Sequence, residues 1–268
     1  MLDNILANAP IYLLIAVRCL ASLFTLPLFS TQSVSRVAKF ALAGYLAFLL
    51  LPSAYNADYK LFVSEFEFFT LQYILLLVGE ALIGIITGFF ITILFATFSS
   101  AGQFFSFQMG LSAAEAYDSL SQVENPLMGQ LLNLIAMLLF LQVNAFQQLF
   151  LKGFQMGFSS FNALTLINVD SRMELLKFLL TGLSNLFFNA MMIALPLVGS
   201  FFLVSVSMGI LSKAAPQMNL LSEGIPLTML LGFFLLTVCL PYMCDFFMHL
   251  FDVAFFNLEK LFLSLRSV

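Results

Sequence analysis

The chain has 268 residues, of which 62% are hydrophobic and 9% charged, and a formal net charge of −4. A soluble domain carries about 25% charged residues, so a water-soluble globular class is excluded, and the negative balance excludes an electrostatic nucleic-acid binder. No polybasic cluster marks a site for anionic lipid.

In chain order, Met1 to Asn8 carries Asp3 and no basic residue. It lacks the basic region of a cleavable signal peptide and is expected to be retained. A first apolar segment runs from about Pro10 to Phe29, with Arg18 in its middle, and a second, short for a span, from about Val37 to Leu51. Pro52 is expected to stop that helix. After a polar stretch, Asn56 to Glu67, a third segment runs from about Phe68 to Phe107. Pro126 suits the first turn of a fourth helix, running to about Phe158. The fifth, about Met173 to Leu211, holds Pro196, where a kink is expected. The sixth, about Leu227 to Phe256, holds Pro241.

More than thirty residues pass without a charge between Glu80 and Glu115, and again between Lys177 and Lys213. About 20 apolar residues cross a bilayer, so these runs exceed a single crossing. Their continuity excludes a β-barrel, whose strands alternate. The fold class is therefore all-α, a membrane-associated protein of long kinked helical hairpins. No repeat or Gly/Ser linker divides it, so residues 1–268 are taken as one helical domain.

Loop charges do not assign an orientation. If the loop with Arg36 and Lys39 is cytoplasmic, simple alternation makes the loop with Glu115, Asp118 and Glu124 cytoplasmic and the one with Lys152, Arg172 and Lys177 external. That contradicts the positive-inside rule. Either the segments number other than six or they are not alternate crossings; long kinked hairpins packed against other subunits would fit the second.

Phe occurs 34 times and Trp never. Trp marks interfacial belts, whereas Phe offers packing area without a polar tip, so the composition favours packing between proteins. Cys19, Cys239 and Cys244 lie in apolar sequence with no CxxC pair and read as reduced packing residues.

Arg18 and Glu80 are the charges set deepest in apolar sequence. A charge at a bilayer centre costs about 2.5–3.5 kcal/mol on insertion scales. One reading is a proton or ion pathway; the other is a structural ion pair or charges facing a wet protein interface. The second is preferred, because a relay needs several ionisable groups in series. Gly84 and Gly88, with Gly79 one turn earlier, form a small-xxx-small pattern that lets helices approach closely; Gly153 and Gly157 form another. His249 with Asp245 is too few ligands for a metal site. Nothing in the chain argues for an enzyme or a cofactor.

Two stretches differ from packing sequence. One is Ala101 to Asp118, small, polar and punctuated by glycine. The other is Ala214 to Pro226, with two prolines and several amides. Each is either an ordinary exposed loop or irregular backbone sheltered by protein or water.

These stretches resemble the FliR family, the R component of the flagellar type III export gate, and its SctT-type virulence-secretion counterparts. The resemblance rests on Arg18 with Leu-Pro-Leu-Phe (26–29), Val-Ser-Arg-Val-Ala-Lys (34–39), and Gly-Glu-Ala-Leu-Ile-Gly (79–84). It continues in Ala-Gly-Gln (101–103), Gln-Met-Gly (108–110), Ala-Ala-Pro-Gln-Met-Asn (214–219) and Gly-Ile-Pro (224–226).

The resemblance implies a subunit assembled with five FliP-like and four FliQ-like subunits, and an FlhB-like one. Their hairpins stack helically around a pore for unfolded flagellar proteins, in the bacterial inner membrane at the flagellar basal body. Much of the stack stands above the membrane plane; lipid covers the rest. The resemblance implies a pore plug, carried by position onto Ser106 to Glu124 and in particular Gln108, Met109, Gly110, Leu111, Ser112, Ala113, Ala114, Glu115 and Asp118. It makes Pro216, Gln217, Met218, Asn219, Gly224 and Pro226 a family connector, and Arg18 and Glu80 structural or inter-subunit charges. The first ninety residues look flagellar. The competing reading is a stand-alone proton-coupled secondary transporter, with Glu80 as proton site and a midplane site between interrupted helices.

Overall fold

In the computed structural model the described residues are 9–30, 34–54, 71–111, 127–160, 163, 168–214 and 224–266. Among them there are helices and no strand, which is the expected fold class.

Helix α1, Ala9–Thr25, stops short of Pro27, whose ring disfavours a helical Leu26. A single turn follows, α2, Pro27–Ser30. Helix α3, Arg36–Ala54, is capped by Ser35, whose hydroxyl accepts the Ala38 N–H at 3.3 Å. It holds Pro52 and runs two residues past the expected stop. The bond lost at a proline falls there in the final turn, where little helix remains to disrupt.

Helix α4, Leu71–Met109, has 39 residues and closes on Gly110, whose φ of +76° is the left-handed conformation of a helix C-terminus. Helix α8, Val169–Ala214, has 46 residues, and α9, Ile225–Arg266, has 42. Asn168 starts α8, its side-chain oxygen accepting the Asp170 N–H at 3.2 Å. Asp170 in the first turn and Lys213 in the last complement the helix dipole. These polar ends carry α8 beyond the apolar run at both sides. Pro196 and Pro241 lie inside helices that continue through them.

The fourth apolar segment is not one helix. Helix α5, Leu127–Gln142, ends before Asn144, which sits at φ +54°. The chain resumes as α6, Ala145–Gln147, a π-helical turn, Gln148–Gly153, and α7, Phe154–Ser160. Asn tolerates the left-handed conformation, and Gln148 Nε2 donates to the freed Val143 carbonyl at 3.4 Å. The apolar pattern runs on across the break, so hydropathy does not reveal it.

The described contacts divide into two compact units. The first comprises Met1–Leu94, Leu141–Leu183 and Phe251–Val268; the second comprises Phe95–Phe140 and Ser184–Leu250. In the first, Leu14, Tyr73, Leu76 and Ala163 form a buried cluster, and Tyr73 donates to the Pro10 carbonyl at 2.8 Å. Phe146, Phe150, Phe154 and Phe158 stack at four-residue intervals, with ring centroids 4.6, 4.9 and 6.4 Å apart. In the second, Phe98 packs on Phe247 at 4.2 Å and Phe95 on Phe140 at 5.4 Å. The large Phe content is therefore spent in part on ladders that join helices.

Much apolar surface is left uncovered. Only 28% of the most apolar window of α8 and 17% of that of α9 is buried. Phe187, Phe188, Phe202, Leu203, Ile210, Leu230 and Phe234 are all exposed.

Candidate functional site

Four residues on one face of α4 recur every fourth position: Glu80, Gly84, Gly88 and Thr92. In a helix that spacing forms a single stripe. It faces Arg18, Ala21, Ser22 and Thr25 of α1, so the two helices run in the same direction.

At the head of this seam, Arg18 Nε donates to Glu80 Oε2 at 2.5 Å, and both side chains are fully buried. The Ala163 N–H donates to Glu80 Oε1 at 2.9 Å. The Arg18 guanidinium lies 4.1 Å from the Phe158 ring centroid, within cation–π range. Gly157 lies beside the guanidinium without being pressed by it: a Cβ there would make an ordinary contact, 3.5 Å from Arg18 Nη1. One charge pair thus ties α1, α4, α7 and residue 163 together. Each charge is compensated and hydrogen-bonded, the condition under which buried ions are tolerated.

Below the pair, the glycines set the helix separation. A Cβ at Gly84 would strike the Arg18 carbonyl oxygen and lie 2.9 Å from Ala21 Cβ. One at Gly88 would strike Thr25 Oγ1 and lie 2.9 Å from the Ser22 carbonyl oxygen. Thr92 closes the seam, its hydroxyl 2.8 Å from the Thr25 carbonyl and 3.0 Å from that of Gly88. Gly79 belongs to another contact, with Ala163, whose Cβ would lie 2.7 Å from an added one. Gly153 is not pressed: the nearest atom to a Cβ there is 3.7 Å away.

Of the other sequence-selected residues, Gln108 and Met109 end α4, and Gly110 and Leu111 follow it. Ser112, Ala113, Ala114, Glu115 and Asp118 lie outside the described residues, as do Pro216, Gln217, Met218 and Asn219. Gly224 directly precedes α9, and Pro226 is its second residue, where a missing N–H costs nothing. Among the described residues no cluster of three His, Cys, Asp or Glu side chains could hold a metal.

Sequence reasoning did not find Phe158 and Ala163 around the charge pair, nor Thr92. The four-residue recurrence through Thr92 was a usable signal. Nothing local points to Ala163, which lies 83 residues from Glu80.

The family model for bacterial export proteins, family 1, matches residues 9–254. The chain is 33% identical to the flagellar biosynthetic protein FliR of Escherichia coli K12, over 89% of this chain and 87% of that one. It is 31% identical to FliR of Bacillus subtilis 168, over 89% of each. It is also 26% identical to the surface presentation of antigens protein SpaR of Shigella flexneri, over 61% of this chain and 62% of that protein. The buried charge pair and the glycine seam fall within the matched residues, and the chain belongs to the FliR family of bacterial export proteins.

Proposed function

We propose that this chain is the R-type subunit of a flagellar type III protein export gate, helping to form and plug the channel through which unfolded flagellar proteins leave the cytoplasm. Membership of the family makes it an export-apparatus component, a membrane protein that works within a complex. The finer reading adds FliP-like and FliQ-like partners in five and four copies, an FlhB-like subunit, and a place in the bacterial inner membrane at the flagellar basal body. The role is mechanical and invokes no catalytic residue or cofactor. Energy from the proton-motive force or ATP enters through other components.

The observation that carries this reading is helix length set against burial. Helices of 39, 46 and 42 residues are about 58, 69 and 63 Å long at 1.5 Å per residue. A bilayer's hydrocarbon is about 30 Å thick. Lipid therefore covers only about half of such a helix, and the large residues exposed along α8 and α9 call for protein around the remainder. A solitary transporter has no such need, and the family supports export.

When the chain is purified under mild detergent from cells bearing the whole apparatus, unlike small helical membrane subunits should copurify in fixed ratio. A stable monomer or homo-oligomer would overturn the proposal.

The plug reading, on Ser106 to Glu124, draws on composition. Small residues suit a narrow lumen, Met109 gives an adaptable apolar contact, and apolar constrictions block ions by dewetting. Glu115 and Asp118 suit polar groups of neighbouring subunits. Deleting Gly110 to Asp118 should raise ion leakage in cells carrying an assembled gate. Unchanged conductance with assembly intact would remove the plug from this segment.

A further inference from the structure

Within the second unit, α8 and α9 leave an open cavity of about 270 Å³ between them. Its floor is Ile193, Leu197 and Met243, all buried. Its rim holds Met192 and Pro196 on α8, and Cys239 and Tyr242 on α9. The rim continues past the cavity as exposed apolar side chains one turn away: Phe188 before Met192, and Val238 before Tyr242, at 65% and 51% exposure.

The proline sets the chemistry of this rim. Pro196 has no N–H, so the Met192 carbonyl, four residues earlier, lacks its helical donor. Nearby hydroxyls of the two helices are engaged elsewhere. Ser200 donates to the Pro196 carbonyl at 2.8 Å, and Thr237 to the Phe233 carbonyl at 2.8 Å. Tyr242, also on the rim, is turned outward at 76% exposure. An unpaired carbonyl among apolar side chains is costly whether lipid or protein covers it.

Candidate occupants differ in what they supply. A buried water needs about two to four polar partners, and the proline frees one acceptor. A lipid tail fills apolar space but carries no donor. Small-molecule sites are about 300–1,000 Å³, so this cavity falls below that range and suits a single large side chain. Trp or Tyr combines apolar area with one N–H or O–H, and Met192 and Met243 offer favourable sulfur–aromatic contacts. The exposed ridges on either side suit the helix that would carry such a residue.

We propose that this groove receives one Trp or Tyr side chain from an apolar helix of another subunit, with the Met192 carbonyl accepting its hydrogen bond. The partner rests on the reading above that the chain works inside a gate of unlike subunits; the site rests on Pro196 and the cavity.

Cys239→Trp fills the groove from within. In cells bearing the whole apparatus it is expected to cut copurifying subunits about tenfold or more, the scale of a lost anchor residue, while the purified chain melts as the native one does. Pro196→Ala adds no bulk and returns a helical N–H to the Met192 carbonyl. It is expected to raise the melting temperature of the chain alone and to lower the amount of assembled complex. Undiminished assembly in either folded variant would overturn the proposal, and Pro196→Ala decides the matter should Cys239→Trp not fold.

The photo-crosslinker p-benzoylphenylalanine in place of Tyr242 identifies the occupant. In the assembled complex the expected adduct joins an unlike subunit beside a Trp or Tyr. Adducts to lipid alone, or to a second copy of this chain, would remove the groove and leave the gate standing. A native chain that copurifies with no other subunit would overturn the gate and the groove together.

Discussion

Glu80→Gln is expected to destabilise the first unit by about 3–5 kcal/mol, the usual cost of removing one partner of a buried ion pair. The amide still offers the Ala163 N–H an acceptor, so the loss is electrostatic. Arg18 stays at 1% exposure, facing the Phe158 ring without the Glu80 carboxylate. A cation–π contact supplies about 2 kcal/mol even when desolvated, less than the charge pair it would have to replace. Arg18→Met should cost a similar amount by stranding the Glu80 carboxylate. The double variant Arg18→Met with Glu80→Leu should lie closer to the native chain than either single change, because it buries no charge. Thermal melts of the purified chain in detergent, together with the yield of assembled gate, would check this order. Assembly at native yield with export abolished in Glu80→Gln would sink the structural role and restore a proton-handling one.

The second large effect is at the glycine seam. Gly84→Val and Gly88→Val are expected to part α1 from α4, with loss of assembled gate. The added carbons meet the Arg18 carbonyl and Ala21 at one site, and Thr25 with the Ser22 carbonyl at the other. Two of those contacts are backbone and cannot rotate away. Overpacking a close contact costs about 1–3 kcal/mol; here the whole of α1 must shift, taking Arg18 from Glu80, so the upper end or beyond is expected. Gly153→Ala is the control. The nearest atom stands 3.7 Å away, and replacing a helical glycine by alanine is worth about 0.5–1 kcal/mol in the other direction. Equal losses in Gly84→Val and Gly153→Ala melts would mean that helix separation is not set where the structure places it.

Much of this fold was readable from the residues in order. The unbroken apolar runs forecast helices α4 and α8 to within about a turn of their ends, because hydropathy and the cost of an unpaired backbone group act along the chain; α9 continues past the expected Phe256 to Arg266, where charged residues interrupt the apolar run. Gly110, Asn168 and Pro226 mark ends through their own conformational or hydrogen-bonding preferences. The break at Asn144 escaped because its flanks keep the composition of a helix, and Asn is permitted, not required, to turn left-handed. Pro52 misled by two residues for the opposite reason: the signal is strong, but its penalty acts on a final turn.

The candidate site divides similarly. That Arg18 and Glu80 were unusual followed from their apolar surroundings alone. That they pair with each other across 62 residues, on a face shared with Gly84, Gly88 and Thr92, did not. Gly79 looked like a member of that stripe and packs instead on Ala163. Gly153 and Gly157 carry the same spacing as Gly84 and Gly88 without the same pressure on them. Spacing names the face a residue occupies, while the neighbour across the gap decides whether a glycine is needed there.

By itself, then, the sequence determined the helical class, the excess helix length and the family, since each depends on residues taken one at a time or in local order. Only the tertiary structure decided which charge meets which and which glycines are compressed. Those are properties of pairs far apart in the chain, and burial energies and steric limits are set by the distance between them.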